Sequence, residues 1–304
     1  MNEKSPGKGG ILRFTVRTRT TVLDFLGERF PGSHRGTLRQ RLAHHGVRMA
    51  GKPVTNPKTV LEAGDEVEIL RQAVRSQPLP PGMRIVWKDA HLILIHKPDG
   101  LLSMANEKEN HRTAYWHLTD WAREDAGDPK ARIFIVHRLD RDASGLLLFA
   151  RDEATKRYFQ DHWDAVEKIY GVVTDGIPRP PEGAWRSKLT EGPQHRMKSR
   201  PAKNWRDQGA EDEGKDAVTH YRTLRTRDGL AFLEVRLETG RKNQIRVHAA
   251  SCDCPVVGDS KYGQDARNPF HRLGLHAWKL KFTHPVTKQI MGFVEPLPRG
   301  FELR

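Results

Sequence analysis

The apolar positions of the first seventy residues change period along the chain. Val22, Phe25, Leu26 and Phe30 recur at helical spacing behind Thr21, a residue with N-cap chemistry, and Pro31-Gly32 ends the run. Leu38 and Leu42, four apart, predict a second helix that turns its leucines inward and Arg35, Arg39 and Arg41 outward, closing at Gly46. Short strands are expected next at Val47–Met49, Val54, Val60 and Glu66–Leu70, with turns at Ala50-Gly51-Lys52 and Gly64-Asp65. The polar, glycine-rich residues 1–10 read as a mobile tail. The proline content that begins after Arg71 reads as a semi-rigid linker.

Beyond the linker, strand-like runs outnumber helical ones. Residues 84–97 predict two strands around a turn, 113–124 a helix, 133–136 and 146–150 short strands flanking a polar loop. Residues 153–166 look helical, and 169–174, 218–226, 231–238, 278–283 and 289–294 look extended. Residues 192–217 are polar and mixed in charge, as in a long loop or insertion. Strands that often follow one another directly predict an α+β fold. The larger unit, over residues 84–304, would be a mixed, mostly antiparallel sheet with flanking helices. A small two-helix, short-strand unit over 1–72 would precede it, joined by the linker at 73–83.

Charge adds a partner to this picture. The net formal charge is +14, and residues 1–75 hold fourteen Lys and Arg against seven Asp and Glu, half of the excess. Such a surplus favours a polyanion, because neutralised phosphates release condensed counterions. Arg35, Arg39, Arg41 and Lys52 are the candidate nucleic-acid contacts of the first unit. Only Cys252 and Cys254 occur, too close for an unstrained disulfide, which suits a reducing cytoplasm. No apolar run approaches the ~20 residues of a membrane helix. A cytoplasmic, monomeric protein without a membrane partner is expected.

The candidate chemistry lies in His137-Arg138-Leu139-Asp140-Arg141-Asp142-Ala143-Ser144-Gly145, between two apolar strands. A carboxylate beside Arg138 and Arg141 would be favoured in its ionised form, ready to act as nucleophile or base; a plain polar turn is the competing explanation. Further on, Gly240-Arg241-Lys242-Asn243-Gln244-Ile245-Arg246-Val247-His248 alternates polar and apolar. Gln244, Arg246 and His248 would then share one face of a strand or helix start, suited to phosphate and base recognition. Lys168-Ile169-Tyr170 opens a strand, and a lone tyrosine there is ordinarily core.

Taken together these three segments resemble the signature segments of the RluA-type pseudouridine synthases. Supporting matches run in order along the chain: His96-Lys97-Pro98-Asp99-Gly100, Gly214-Lys215-Asp216-Ala217, Gly258-Asp259-Ser260-Lys261-Tyr262-Gly263, Leu273-Gly274-Leu275-His276-Ala277 and Phe282-Thr283-His284-Pro285. The first unit resembles the small alpha-L RNA-binding module, named after a ribosomal protein. The resemblance implies a catalytic set in which Asp140 is the essential aspartate, Tyr170 packs on the target base and can assist proton removal, and Arg246 pairs with Asp140. It implies that Arg138 helps to displace the nucleotide, and Leu139, Arg241, Gln244 and His248 complete the expected substrate-binding set. The implied reaction breaks the glycosidic bond of a uridine, turns the base and rejoins it through carbon five. It needs no metal and no cofactor. Ribosomal RNA is the favoured substrate and transfer RNA the alternative. Asp140 could attack the sugar, add to the uracil ring or remove a sugar proton; all three stay open. The chain departs from the usual pattern at Asn243, where His is common, at Ala143, where Thr is common, and at His96, where Asn is common.

Other readings fare worse. His137, Asp140 and Ser144 lack the context of a nucleophile elbow. Cys252, Cys254, His271 and His276 lack standard zinc spacing, and no Gly-x-Gly-x-x-Gly or phosphate-loop sequence occurs. The rival from another class is a catalytically inactive RNA-binding or ribosome-assembly factor on the same fold. Retention of Asp140, Tyr170 and Arg246 together argues against it.

Overall fold

The structure is a computed structural model that describes residues 11–33, 35–43, 46–70, 79–106, 109, 112–128, 130–192, 196–201, 214–263 and 266–304. The chain divides into two units, Met1–Pro78 with Asp120–Pro129, and Leu79–Thr119 with Lys130–Arg304. The expected tail at 1–10 and most of the linker lie outside the described residues.

In the first unit β1 (Ile11–Thr15) and β2 (Thr20–Thr21) lead into α1 (Val22–Arg29) and α2 (Arg35–Ala43). β3 (Val47–Met49), β4 (Lys52–Pro53), β5 (Val60–Leu61) and β6 (Glu66–Leu70) follow. Thr21 caps α1, its hydroxyl accepting the Asp24 N–H at 3.2 Å. The helical stripes and strand alternations converge on one core containing Val22, Phe25, Leu26, Leu38, Leu42, Val47, Val67 and Ile69. A sheet ordered β1-β6-β3-β4 covers it. β1 was not expected; its Leu12 and Phe14 alternate inward, a readable signal in a short run. The strand expected at Val54 forms instead at Lys52–Pro53. Arg41 also departs from expectation. Its guanidinium lies 4.5 Å from the Phe30 ring centroid and one of its nitrogens is buried, so it covers the core rather than facing outward.

The second unit runs β7 (Arg84–Lys88), β8 (Leu92–Lys97), the start of α3 (Ala114–Ala126), whose residues from Asp120 onward fall in the first unit, then β9 (Phe134–Ile135) and β10 (Ser144–Ala150). It continues through α4 (Glu153–Asp161), β11 (Glu167–Asp175), β12 (Glu182–Glu191), β13 (Met197–Pro201), β14 (Lys215–Arg227) and β15 (Leu230–Leu237). It ends with α5 (Gln244–Ser251), β16 (Leu275–Thr283) and β17 (Ile290–Val294). The sheet is ordered β13-β12-β14-β15-β11-β16-β10-β8-β7, with β17 on β16 and β9 on β10. Every ladder is antiparallel except β10 with β16. The mixed, mostly antiparallel α+β fold is therefore as expected. The polar 192–217 segment is not all loop: β13 and the start of β14 fall within it, and residues 193–195 and 202–213 lie outside the described set. β12 went unpredicted because its buried face carries Trp185, Ser187 and Leu189, and the serine interrupts the apolar alternation.

The single parallel ladder positions the chemistry. Ala277 on β16 pairs with Tyr170 of β11 on one side and with Gly145 of β10 on the other. Gly145 sits at φ +111°, and a Cβ there would fall 2.3 Å from the Ala277 carbonyl oxygen. Only glycine lets β10 approach so closely, and the loop that bears Asp140 ends on this crossing.

Candidate active site

The loop 137–142 is pinned from beneath by two buried polar side chains. Ser103 exchanges hydrogen bonds with both backbone groups of Leu139, donating to its carbonyl at 2.8 Å and accepting its N–H at 3.0 Å. Lys97 is fully buried and donates to the carbonyls of Pro98, Leu101 and Arg141 at 2.7–2.9 Å. Burial pushes its ammonium down to about 7, against the opposing pull of Asp99, Asp142 and Asp140. His137 accepts the Leu148 N–H at 3.0 Å and stacks on Trp163, and burial together with Lys168 holds its imidazole down at about 3.

Asp140 therefore leaves a rigid base. Its carboxylate receives the Arg246 Nη1 at 3.2 Å. The sequence neighbours first considered do not supply this cation: Arg141 pairs with Glu109 at 3.1 Å, and Arg138 is exposed at the mouth of the cavity. Arg246 is itself held from behind, its Nε and Nη2 bonding both carboxylate oxygens of Asp259 at 2.8 and 2.7 Å. This bidentate fork fixes the guanidinium plane and presents its remaining edge to Asp140. Burial would lower Arg246, but Asp259 and then Asp140 carry it above its ordinary value. Asp259 behaves conversely: burial would raise it, but Arg246 and the Tyr262 and Lys261 N–H groups bring it below the ordinary carboxylate range. Asp259 was not among the candidate residues, although it lies in a segment that carried the resemblance; its burial is the tertiary fact that sequence did not show.

The expected common face of Gln244, Arg246 and His248 is not found. The segment is a helix, so residues two apart diverge by roughly 200° and only Gln244 and His248 share a side. Gln244 spends its whole amide on Thr239, the Arg241 N–H, the Val218 carbonyl and Thr219. His248 is buried between Ser187 and Thr219, both at 2.9 Å, with its imidazole lowered to about 4 by burial. These two residues dock α5 on β12 and β14, and no ring nitrogen of His248 remains for RNA. Ser144 bonds His276 at 2.7 Å and Arg272 at 2.6 Å in a buried cluster, and no triad with His137 forms.

A cavity of about 320 Å³ is lined by Arg138, Leu139, Asp140, Tyr170, Arg241, Asn243, Gln244 and Arg246, among others. Asp140, Tyr170 and Arg246, far apart in sequence, thus share one cleft. Burial, and then the charge of Asp140, push the Tyr170 hydroxyl up, so it stays a neutral phenol. Arg241 is exposed, with its Nε on the Asp216 carbonyl at 3.1 Å. The volume suits one nucleoside-sized ligand, at the small end of ordinary sites of ~300–1,000 Å³.

A family described as RNA pseudouridylate synthase matches residues 91–251. Ribosomal large subunit pseudouridine synthase D of Pasteurella multocida is 30% identical over 302 residues, covering 91% of this chain and 87% of that one. The protein of the same description in Escherichia coli is 30% identical over 303 residues, covering 90% and 86%. Among solved structures, human RNA pseudouridylate synthase domain containing 4 superposes with TM-score 0.60 at 26% identity, over 72% of this chain and 90% of that one. The chain belongs to the RNA pseudouridylate synthase family, and with it to the isomerases that rebuild uridine in place. No helix among the described residues is long and apolar enough to cross a membrane.

The Asp259–Arg246 pair makes a prediction of its own. Asp259→Asn should destabilise the protein by about 3–5 kcal/mol, because a buried guanidinium loses its compensating charge. The native carboxyl is depressed, so its contribution is present above the ordinary unfolded value of ~3.9 and is lost as pH falls through the lower folded value. Urea unfolding from pH 7 to pH 2 should show the gap between the two proteins closing in acid. A gap that stays constant with pH contradicts the assignment.

Proposed function

We propose that this enzyme converts specific uridines of large-subunit ribosomal RNA to pseudouridine, with Asp140 as the reacting carboxylate. The observation that carries the reading is the meeting of Asp140, Tyr170 and Arg246 in one cavity, with the carboxylate bonded to a guanidinium that is itself anchored. A uracil inside a helix or stem is out of reach of such a cleft, so the nucleotide leaves its stack at a cost of a few kcal/mol. Tyr170, as a neutral phenol, offers a stacking surface; Leu139 lines the cavity, Arg138 at its mouth fills the vacated place, and Arg241 meets phosphate. The ribose C1′–N1 bond is exchanged for a C1′–C5 bond, N1 gains a proton and C5 loses one, so no outside atom or electron is consumed. Attack on the sugar, addition to the ring and removal of a sugar proton each place Asp140 against the nucleoside.

The ribosomal substrate is favoured by the relatives' descriptions and by the basic first unit, which the reading takes as an alpha-L type RNA-binding module over residues 1–72, linked through 73–83 to a catalytic domain at 84–304. Arg35, Arg39 and Lys52 are exposed there, whereas Arg41 is committed to Phe30. The protein is taken to be cytoplasmic and monomeric, in keeping with two free thiols at Cys252 and Cys254.

Asp140→Asn should abolish pseudouridine formation in ribosomal RNA while changing RNA affinity less than about threefold, since the residue contributes to bond exchange and little to phosphate contact. Product mapped at unchanged levels refutes the role. Replacing Arg35, Arg39 and Lys52 together by Ala should leave single-turnover chemistry intact at saturating enzyme and reduce the slope of log affinity against log salt by about 2–3. An unchanged slope counts against RNA contact by these residues.

A further inference from the structure

Asn243 occupies the N-cap position of α5 in a left-handed conformation, φ 54° and ψ 21°, and makes no side-chain cap bond. Asparagine at an N-cap ordinarily gives its side chain to the first free N–H groups of the helix. Here the left-handed backbone turns the amide away from the helix and into the cavity that holds Asp140. We infer that Asn243 is a positioning residue that fixes the orientation of the Asp140 carboxylate, itself fixed by Tyr262. The inference rests on the reading that Asp140 is the reacting group.

The hydrogen-bond directions follow from counting protons. The Tyr262 hydroxyl accepts the backbone N–H of Met197 at 3.0 Å, so its single hydrogen is free for another partner. That partner is the Asn243 Oδ1 at 2.9 Å. The amide nitrogen then faces Asp140, 3.0 Å from Oδ1 and 2.9 Å from Oδ2. The reversed amide would set its oxygen against both carboxylate oxygens and leave the tyrosine hydrogen without an acceptor in this chain of bonds. The Tyr262 ring is also held in place, with the Arg246 guanidinium 5.4 Å from its centroid and its backbone N–H on Asp259 at 3.0 Å.

Asn243 and Arg246 stand three apart at the start of one helix and so reach the same target. Arg246 supplies charge from one side of the carboxylate, and Asn243 bridges both oxygens with a donor that carries no charge. Together they fix the plane of a side chain that would otherwise rotate about its last torsion. A misplaced reacting group costs up to about 100-fold in rate, which sets the size of the effect to look for.

Four variants of the full chain test this by steady-state kinetics on ribosomal RNA, with melting temperature measured alongside. Asn243→Gly suits the left-handed backbone yet deletes the amide, so a purely conformational role would leave it fully active. We expect kcat to fall about 10- to 100-fold with KM within twofold. Asn243→Asp, the same shape without a donor, should fall further because two carboxylates then face each other. Asn243→His restores an N–H and tolerates the backbone, and should recover part of the loss. Tyr262→Phe should cost less than Asn243→Gly, since it frees the amide without removing it. Full kcat in Asn243→Gly, or a rise in KM with kcat unchanged, overturns the inference. Should Asn243→Gly melt below the assay temperature, equal kcat in Asn243→Asp and Asn243→His overturns it instead. Asp140→Asn, run beside them, separates the two claims: an inactive Asp140→Asn with a fully active Asn243→Gly sinks only this inference, whereas an active Asp140→Asn sinks the reading beneath it.

Discussion

One guanidinium shared between two carboxylates organises the catalytic unit. Arg246 gives two nitrogens to buried Asp259 and a third to Asp140, which borders the cavity. An arginine that met Asp140 alone would be free to swing; the second carboxylate removes that freedom and offsets the cost of burying the charge. The surrounding structure serves this arrangement. Gly145 lets two strands cross closely beneath the loop, Lys97 and Ser103 tie the loop down, and Gln244 and His248 dock the helix that carries the arginine. Asp140, the loop that bears it and the helix opposite are each held by buried polar groups.

Much of the fold was legible in the sequence. The helical stripes of α1 and α2, the strands β3 and β6 and the paired β7 and β8 fell where apolar periodicity put them. At α5, left open between strand and helix start, and at β12, which was missed, periodicity failed for one cause. Residues 244–249 of α5 are buried on every side, so the helix has no polar face to betray it and its sequence alternates like a strand. β12 failed for the complementary reason, since Ser187 occupies an inward position to meet His248. A buried polar contact between two elements hid both of them.

The candidate site was legible in its parts and not in its wiring. Asp140, Tyr170 and Arg246 stood out through their segments, and the cavity unites them. Attributions changed once side chains had directions: Arg141 turned to Glu109, Gln244 and His248 to the interior and Arg41 to Phe30. Asp259 and Tyr262 gained importance because the fold brings residues 258–263 against α5, and only long-range packing reports that. Asn243, noticed first as a departure from the usual pattern, occupies the gap between Tyr262 and Asp140.

Asp259 holds Arg246 against Asp140. A double-mutant cycle measures this directly, with single-turnover rates for Arg246→Lys, Asp259→Asn and the pair, at a temperature where all remain folded. If the fork is the link, the double variant is no slower than Arg246→Lys alone, because once the guanidinium is gone Asp259 has nothing left to orient. Losses that multiply, with each substitution slowing the reaction independently of the other, contradict the account.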